Sequence, residues 1–160
     1  MDIIQLPSPN TSGRRAFPPT HIVLHIMDGT LIGTDAWFGN AASKVSAHYG
    51  IGKRGEIHQY VDDMAIAWHA GRIDNPTVEL RPGNPNGRTI GIEHEGRAGD
   101  ELPLELYVAS ARLLRKLSAT HGIPLDKNHV WLHREIYSKK TCPGKLNRDL
   151  LLAMARHIEP

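Results

Sequence analysis

The chain has 160 residues, a formal net charge of +2, 40% hydrophobic residues and 22% charged residues. That is the length of one domain with its own core, and the balance excludes both a disordered chain and a concentrated basic footprint for nucleic acid. A single cysteine, Cys142, rules out an intramolecular disulfide.

The first residues carry an acid and a proline where a secretory signal needs a basic start and an apolar run, so no signal peptide is expected. No stretch reaches the roughly 20 apolar residues of a membrane span, so no membrane insertion is expected. Residues 1–19, with Pro7, Pro9, Pro18 and Pro19, read as an N-terminal arm, and residues 20–160 as the folded domain. His21 to Ile26 is a β-branched apolar run before the turn pair Asp28-Gly29, and predicts a buried strand with His25 near its C-terminal end. Thr34 to Gly39 predicts a short helix capped by Thr34. Val45–Ile51 and Glu56–Val61 predict a hairpin turning at Gly55, with a further strand at Ala65–His69. The Asn/Pro/Gly/Arg-rich stretch from Gly71 to Arg88 predicts a long loop that could rim a substrate groove.

Thr89 to Glu95 alternates, which sends Ile90 and Ile92 to the core and Glu93 and Glu95 to the other face. Leu106, Leu113, Leu114 and Leu117 at helical spacing, with Pro103 before and Gly122 after, predict a helix over 103–121. His129 to His133 predicts a strand, and Asn147 to His157 a closing helix with Asn147 as N-cap and Leu146 and Leu151 as staple. Strands alternating with helices, plus one hairpin, imply an α/β single domain: a central mixed sheet flanked by helices.

Zinc prefers imidazole and thiolate, and a catalytic site keeps three protein ligands with one position open. His25 and His133 each close a predicted strand, and Cys142 follows in a turn-rich loop long enough to fold back. By spacing alone, a buried inert thiol and histidines held by backbone hydrogen bonds are the commoner case.

Five segments in order carry a resemblance: Ile22-Val23-Leu24-His25, Val45-Ser46-Ala47-His48-Tyr49, Ala67-Trp68-His69-Ala70-Gly71, Ile90 to Gly96, and His133-Arg134-Glu135 through Lys140-Thr141-Cys142-Pro143-Gly144. Together they resemble the type 2 N-acetylmuramoyl-L-alanine amidases, the group of phage amidase endolysins, bacterial cell-wall amidases and peptidoglycan recognition proteins. The resemblance implies that fold, with 20–160 as a zinc amidase catalytic domain that cuts the amide between N-acetylmuramic acid and L-alanine in peptidoglycan. It implies Zn2+ on His25, His133 and Cys142, Glu93 as general base with Glu95 as rival, and Lys140 as the cation facing the developing oxyanion. His69, Trp68 and Tyr49 are the expected substrate-binding residues.

Relatives with a Cys ligand often carry a catalytic Tyr where Ala47 stands, and strand alternation would put Tyr49 on that same face. The expected partner is peptidoglycan, without nucleic acid, for a monomer made in the cytoplasm that reaches the wall after release by a lysis system, as a phage or prophage endolysin does; a bacterial recycling or remodelling enzyme also fits. Rival readings are a recognition module that binds muropeptides without cutting them, and a cysteine peptidase with Cys142 as nucleophile.

Overall fold

The structure, a computed structural model, describes residues 2–158; Met1 of the predicted arm and residues 159–160 lie outside the described residues. The described residues form eight strands and four α-helices. In order they are β1 (Ile4–Gln5), β2 (Thr11–Arg14), β3 (His21–Ile26), α1 (Leu31–Gly39), β4 (Tyr49–Ile51), β5 (Ile57–Gln59), β6 (Ala65–Ala67), β7 (Thr89–His94), α2 (Leu104–His121), β8 (Val130–Leu132), α3 (His133–Ile136) and α4 (Arg148–His157).

Six strands form one sheet in the order β1-β5-β4-β7-β3-β8. The β4–β5 hairpin pairs antiparallel, and the other neighbours are parallel, so the sheet is mixed. Its centre is in register from Ile22↔Ile90 and Ile22↔Val130 to His25↔Glu93. Alternation therefore divides the central strands. Ile22, Leu24, Ile90 and Ile92 join Leu106, Leu113, Leu114, Leu117, Leu151 and Leu152 in one core beneath α2 and α4, where each fully buried leucine contributes about 1.5–3 kcal/mol. Val23, His25, Gly91 and Glu93 point to the opposite face.

Capping follows local chemistry. Asn147 caps α4, its side chain accepting from Leu150 N at 3.0 Å, and Gly122 ends α2 at φ +69°, where a left-handed residue is needed. Leu146 and Leu151 share the main core, as a staple requires.

Several expectations shift. Helix α1 begins three residues earlier than predicted because Thr30, not Thr34, is the cap; its hydroxyl accepts from Gly33 N at 3.1 Å, and Thr34 is buried within the helix. The strand predicted from Val45 begins only at Tyr49, after a 3₁₀ turn at Ala41–Ser43, and β5 is likewise shorter than predicted. The prolines of residues 1–19 do not prevent strands. Leu6 N and Ser8 N donate to Gln59 O and Tyr60 O along a sheet edge, where Pro7 and Pro9 need no donor. Strand β2 pairs with β6 in a separate two-stranded sheet. The predicted strand at His129–His133 stops at Leu132, and His133 opens the short helix α3.

His48 and His94 are fully buried. Burial and then the Arg15 guanidinium, 2.9 Å from Nε2, press His48 down to about 3, and burial presses His94 down to about 4. Both sit below the unfolded value of about 6.5, so the unfolded chain binds more protons than the folded one as pH falls below that value. Stability should be fully present above about pH 6.5 and decline towards pH 4, by roughly 1.4 kcal/mol per pH unit for each group. Calorimetric Tm values with chelator present should therefore be lower at pH 5.5 than at pH 7.5; equal values would show that these imidazoles are not held neutral.

Candidate metal centre and active-site cleft

The cleft lies on the sheet face away from α2 and α4, at the C-terminal ends of the central parallel strands. It encloses about 330 Å³ and is lined by His25, Glu93, His69, Trp68, His133, Lys140 and Cys142, with Thr34, Trp37 and Phe38 from α1. The structure thus brings together every predicted site residue except Tyr49.

His25, on β3, is 2% exposed. Its Nδ1 lies 3.1 Å from His133 Nδ1 and 3.8 Å from Cys142 Sγ, and the three ligand atoms all fall within 4.8 Å of one another. Cys142 returns to β3 as its loop folds back: Ile26 N donates to the sulfur at 3.2 Å, and Arg134 N donates to Cys142 O at 2.9 Å.

A hydrogen-bond chain assigns the protons. Thr89 donates its hydroxyl hydrogen to Pro85 O at 3.0 Å, so Thr89 Oγ1 must accept from His69 Nε2 at 3.1 Å. His69 Nδ1 then accepts from His25 Nε2 at 3.0 Å, which leaves His25 Nδ1 with a bare lone pair. Burial and then the neighbouring histidines hold His25 well below its ordinary value, and burial and then Lys140 press His133 down to about 4, so both rings are neutral.

These donors fit a tetrahedral metal. Metal–nitrogen bonds of about 2.05 Å and a metal–sulfur bond of about 2.3 Å place two nitrogens about 3.3 Å apart and nitrogen and sulfur about 3.6 Å apart, close to the two spacings from His25 Nδ1, with the His133–Cys142 spacing no more than 4.8 Å. A ring lone pair at 3.1 Å from a second ring nitrogen, beside a sulfur, is a donor set for a cation. Without one, burial and then Glu93 push the Cys142 thiol up to about 12.

Glu93 brings a carboxyl into the cleft beside His25. Oε1 lies 3.9 Å from His25 Nδ1, and Oε2 is buried with no hydrogen-bond partner among the described residues. Burial raises it to about 8, against the opposing pull of Lys140. Lys140 is exposed at the rim, whereas its neighbour Lys139 turns to Asp74 at 3.9 Å.

Tyr49 stands elsewhere. It is 2% exposed within the core beneath α2, its hydroxyl donating to Asp63 at 2.6 Å, and it lines no part of the cleft. Ala47 packs in another cluster with Phe38, Tyr60, Val61 and Ala67. The expected shared face fails because strand geometry begins only at Tyr49. Glu95 also parts from Glu93: β7 ends at His94, and the Glu95 carboxylate accepts from Lys53 N at 2.7 Å. None of the cleft-lining residues comes from the 71–88 loop, so that loop does not rim this groove.

Two residues escaped the sequence reading. Trp37 is 55% exposed at the cleft edge, and its only signal was an aromatic ring on a short helix. Thr89 had none, since its role exists only through His69.

A model of the N-acetylmuramoyl-L-alanine amidase family matches residues 15–145, and the chain belongs to that family. Over 105 residues it is 39% identical to N-acetylmuramoyl-L-alanine amidase A of Achromobacter lyticus, covering 64% of this chain and 52% of that protein. The chain thus spans about half the length of this curated relative. Among solved structures it resembles an AmpD derivative (27% identity, TM-score 0.78, covering 95% of this chain and 93% of that one). It also resembles a mutant endolysin from Bacillus subtilis (26% identity, TM-score 0.74, 97% and 99% covered).

The His25–His69–Thr89 chain yields a prediction. Thr89→Val removes the acceptor that orients His69 while leaving all three ligand atoms in place. Metal affinity, measured by competition with a chromogenic chelator, should fall about 10–100-fold; unchanged affinity would remove the chain from the account of the site.

Proposed function

We propose that the protein is a zinc-dependent N-acetylmuramoyl-L-alanine amidase that hydrolyses the amide between the lactyl group of N-acetylmuramic acid and L-alanine in peptidoglycan. The observation that carries this is the convergence of His25 Nδ1, His133 Nδ1 and Cys142 Sγ within 4.8 Å, beside a buried carboxyl with one unpartnered oxygen. Family membership and the relatives above support the substrate.

His25, His133 and Cys142 would hold the ion, and two nitrogens with a sulfur suit zinc. Zinc bound there supplies Lewis acidity, polarising a carbonyl and acidifying water. Glu93, raised to about 8 by burial in the metal-free chain, would be drawn back to its carboxylate form by a cation on the neighbouring ligands, and then takes a proton from the attacking water and returns it to the leaving alanine amine. Lys140 stabilises the negative oxygen that develops on the carbonyl carbon. His69 holds His25 in the ligating tautomer, which makes it a positioning residue as well as part of the cleft wall. Trp68, its indole anchored on Ser12 at 2.6 Å, forms a wall against which substrate packs.

The setting we propose is lysis of the wall polymer, supported by the likeness to the Bacillus subtilis endolysin. On purified walls, turbidity should fall while free alanine amino groups appear. Release of amino groups from soluble muropeptides alone, with walls left turbid, would keep the amidase and overturn the lytic role.

His25→Ala, His133→Ala and Cys142→Ala should each lose zinc and turnover together. Glu93→Gln should retain stoichiometric zinc by mass spectrometry yet lose about 10²–10⁴-fold in kcat. Lys140→Ala should lower kcat about 10²-fold with little change in KM, because the charge it meets exists only in the transition state. Near-normal turnover by Glu93→Gln would reject that residue as base.

A further inference from the structure

A second cavity, about 640 Å³ and roughly twice the size of the cleft, shares no lining residue with it. It lies at the opposite ends of the same strands, where His21 opens β3, Thr89 opens β7 and His129 precedes β8. The 71–88 loop forms its other wall. That loop is stitched to α3, with Asp74 N donating to Ile136 O at 3.1 Å and Thr77 N to Glu135 O at 2.8 Å, so α3 stands between the two cavities.

The lining has two parts. One is a stack of rings: His21 lies 4.1 Å from Trp131 and 5.2 Å from His129, centroid to centroid, at 30° and 20°. The other is positive. Arg81, Arg88, Lys127 and Arg148 line the cavity against the carboxylates of Glu79 and Glu135. Arg148 engages Glu135 at 2.7 Å, and Lys127 engages Asp149 at 3.0 Å. Arg81 and Arg88 form no ion pair among the described residues, and Arg148 Nε is buried there without a hydrogen-bond partner. The field is felt inside: burial, then His129, Arg81 and Arg88, press His21 down to about 4.

We propose that this cavity is a second ligand site that takes an anionic saccharide, a sugar bearing a carboxylate or phosphate. Guanidinium forks match such oxyanions in geometry and charge. Trp131 is buried at the base of the stack, and the half-buried imidazoles of His21 and His129 offer ring edges that can meet the hydroxyls of a pyranose. The side-chain amides of Asn84 and Asn128 offer partners for sugar hydroxyls. The volume falls in the range of small-ligand sites, about 300–1,000 Å³.

The site does not depend on the amidase reading, so the test reads binding and not turnover. The metal-loaded chain is titrated calorimetrically with N-acetylmuramic acid, N-acetylglucosamine 6-phosphate and neutral N-acetylglucosamine. Binding of either anionic sugar without the neutral one supports the site, and the tighter of the two identifies carboxylate or phosphate as its anion. Arg81→Gln/Arg88→Gln, both exposed positions, should weaken that binding about tenfold or more, and His21→Ala should weaken it as well. Trp68→Ala, which removes a wall of the catalytic cleft, should leave it unchanged. No heat from either anionic sugar at millimolar concentration, equal binding of the neutral sugar, unaltered binding by the double variant, or loss with Trp68→Ala would each overturn the proposal.

Discussion

The centre of this molecule depends on where one proton sits. The Thr89 hydroxyl is committed to Pro85 O, so the His69 and His25 rings must each point an N–H the same way along the chain. The far nitrogen of His25 is thereby left as a lone pair, 3.1 Å from the ring nitrogen of His133. A neutral imidazole has one donor and one acceptor, and fixing the first fixes the second. Gly91 belongs to this device: a Cβ there would meet the His69 ring at 2.6 Å, so the absence of a side chain on β7 gives the ring its place.

The sheet supplies the frame. Parallel register across β8, β3 and β7 sets His25 beside Glu93, and brings His133 to the end of β8 on the same side. One face of these strands is committed to the leucine-rich core beneath α2 and α4. The other is free to carry polar groups, and the 71–88 loop and α3 divide it into two cavities at opposite strand ends. A rigid core beneath both keeps their walls in place.

Burial sets the protonation states in the cleft. Desolvation disfavours every charge, so the histidines stay neutral, the Cys142 thiol is pushed up to about 12 and Glu93 up to about 8. Lys140, exposed at the rim, is the one lysine or arginine among the cleft-lining residues. Such a site suits an added cation, since two neutral nitrogens and an ionisable sulfur converge there.

The sequence alone determined the elements whose signals are local. The leucine spacing and Gly122 defined α2, Asn147 defined the start of α4, and the alternation from Thr89 defined β7. The ordered motifs then brought the family, and with it His25, His133, Cys142 and Glu93, into view. What the tertiary structure alone decided concerns residues whose neighbours are distant in the chain. Thr89 and Gly91 act through His69, Tyr49 turned to the core when its strand began late, and Glu95 left the Glu93 face when β7 ended. The 71–88 loop, legible as a loop, gave no hint of which cavity it would wall. Periodicity reports which way a side chain points within its own element; which partner it meets depends on register, loop closure and packing, and these exist only once the chain has folded.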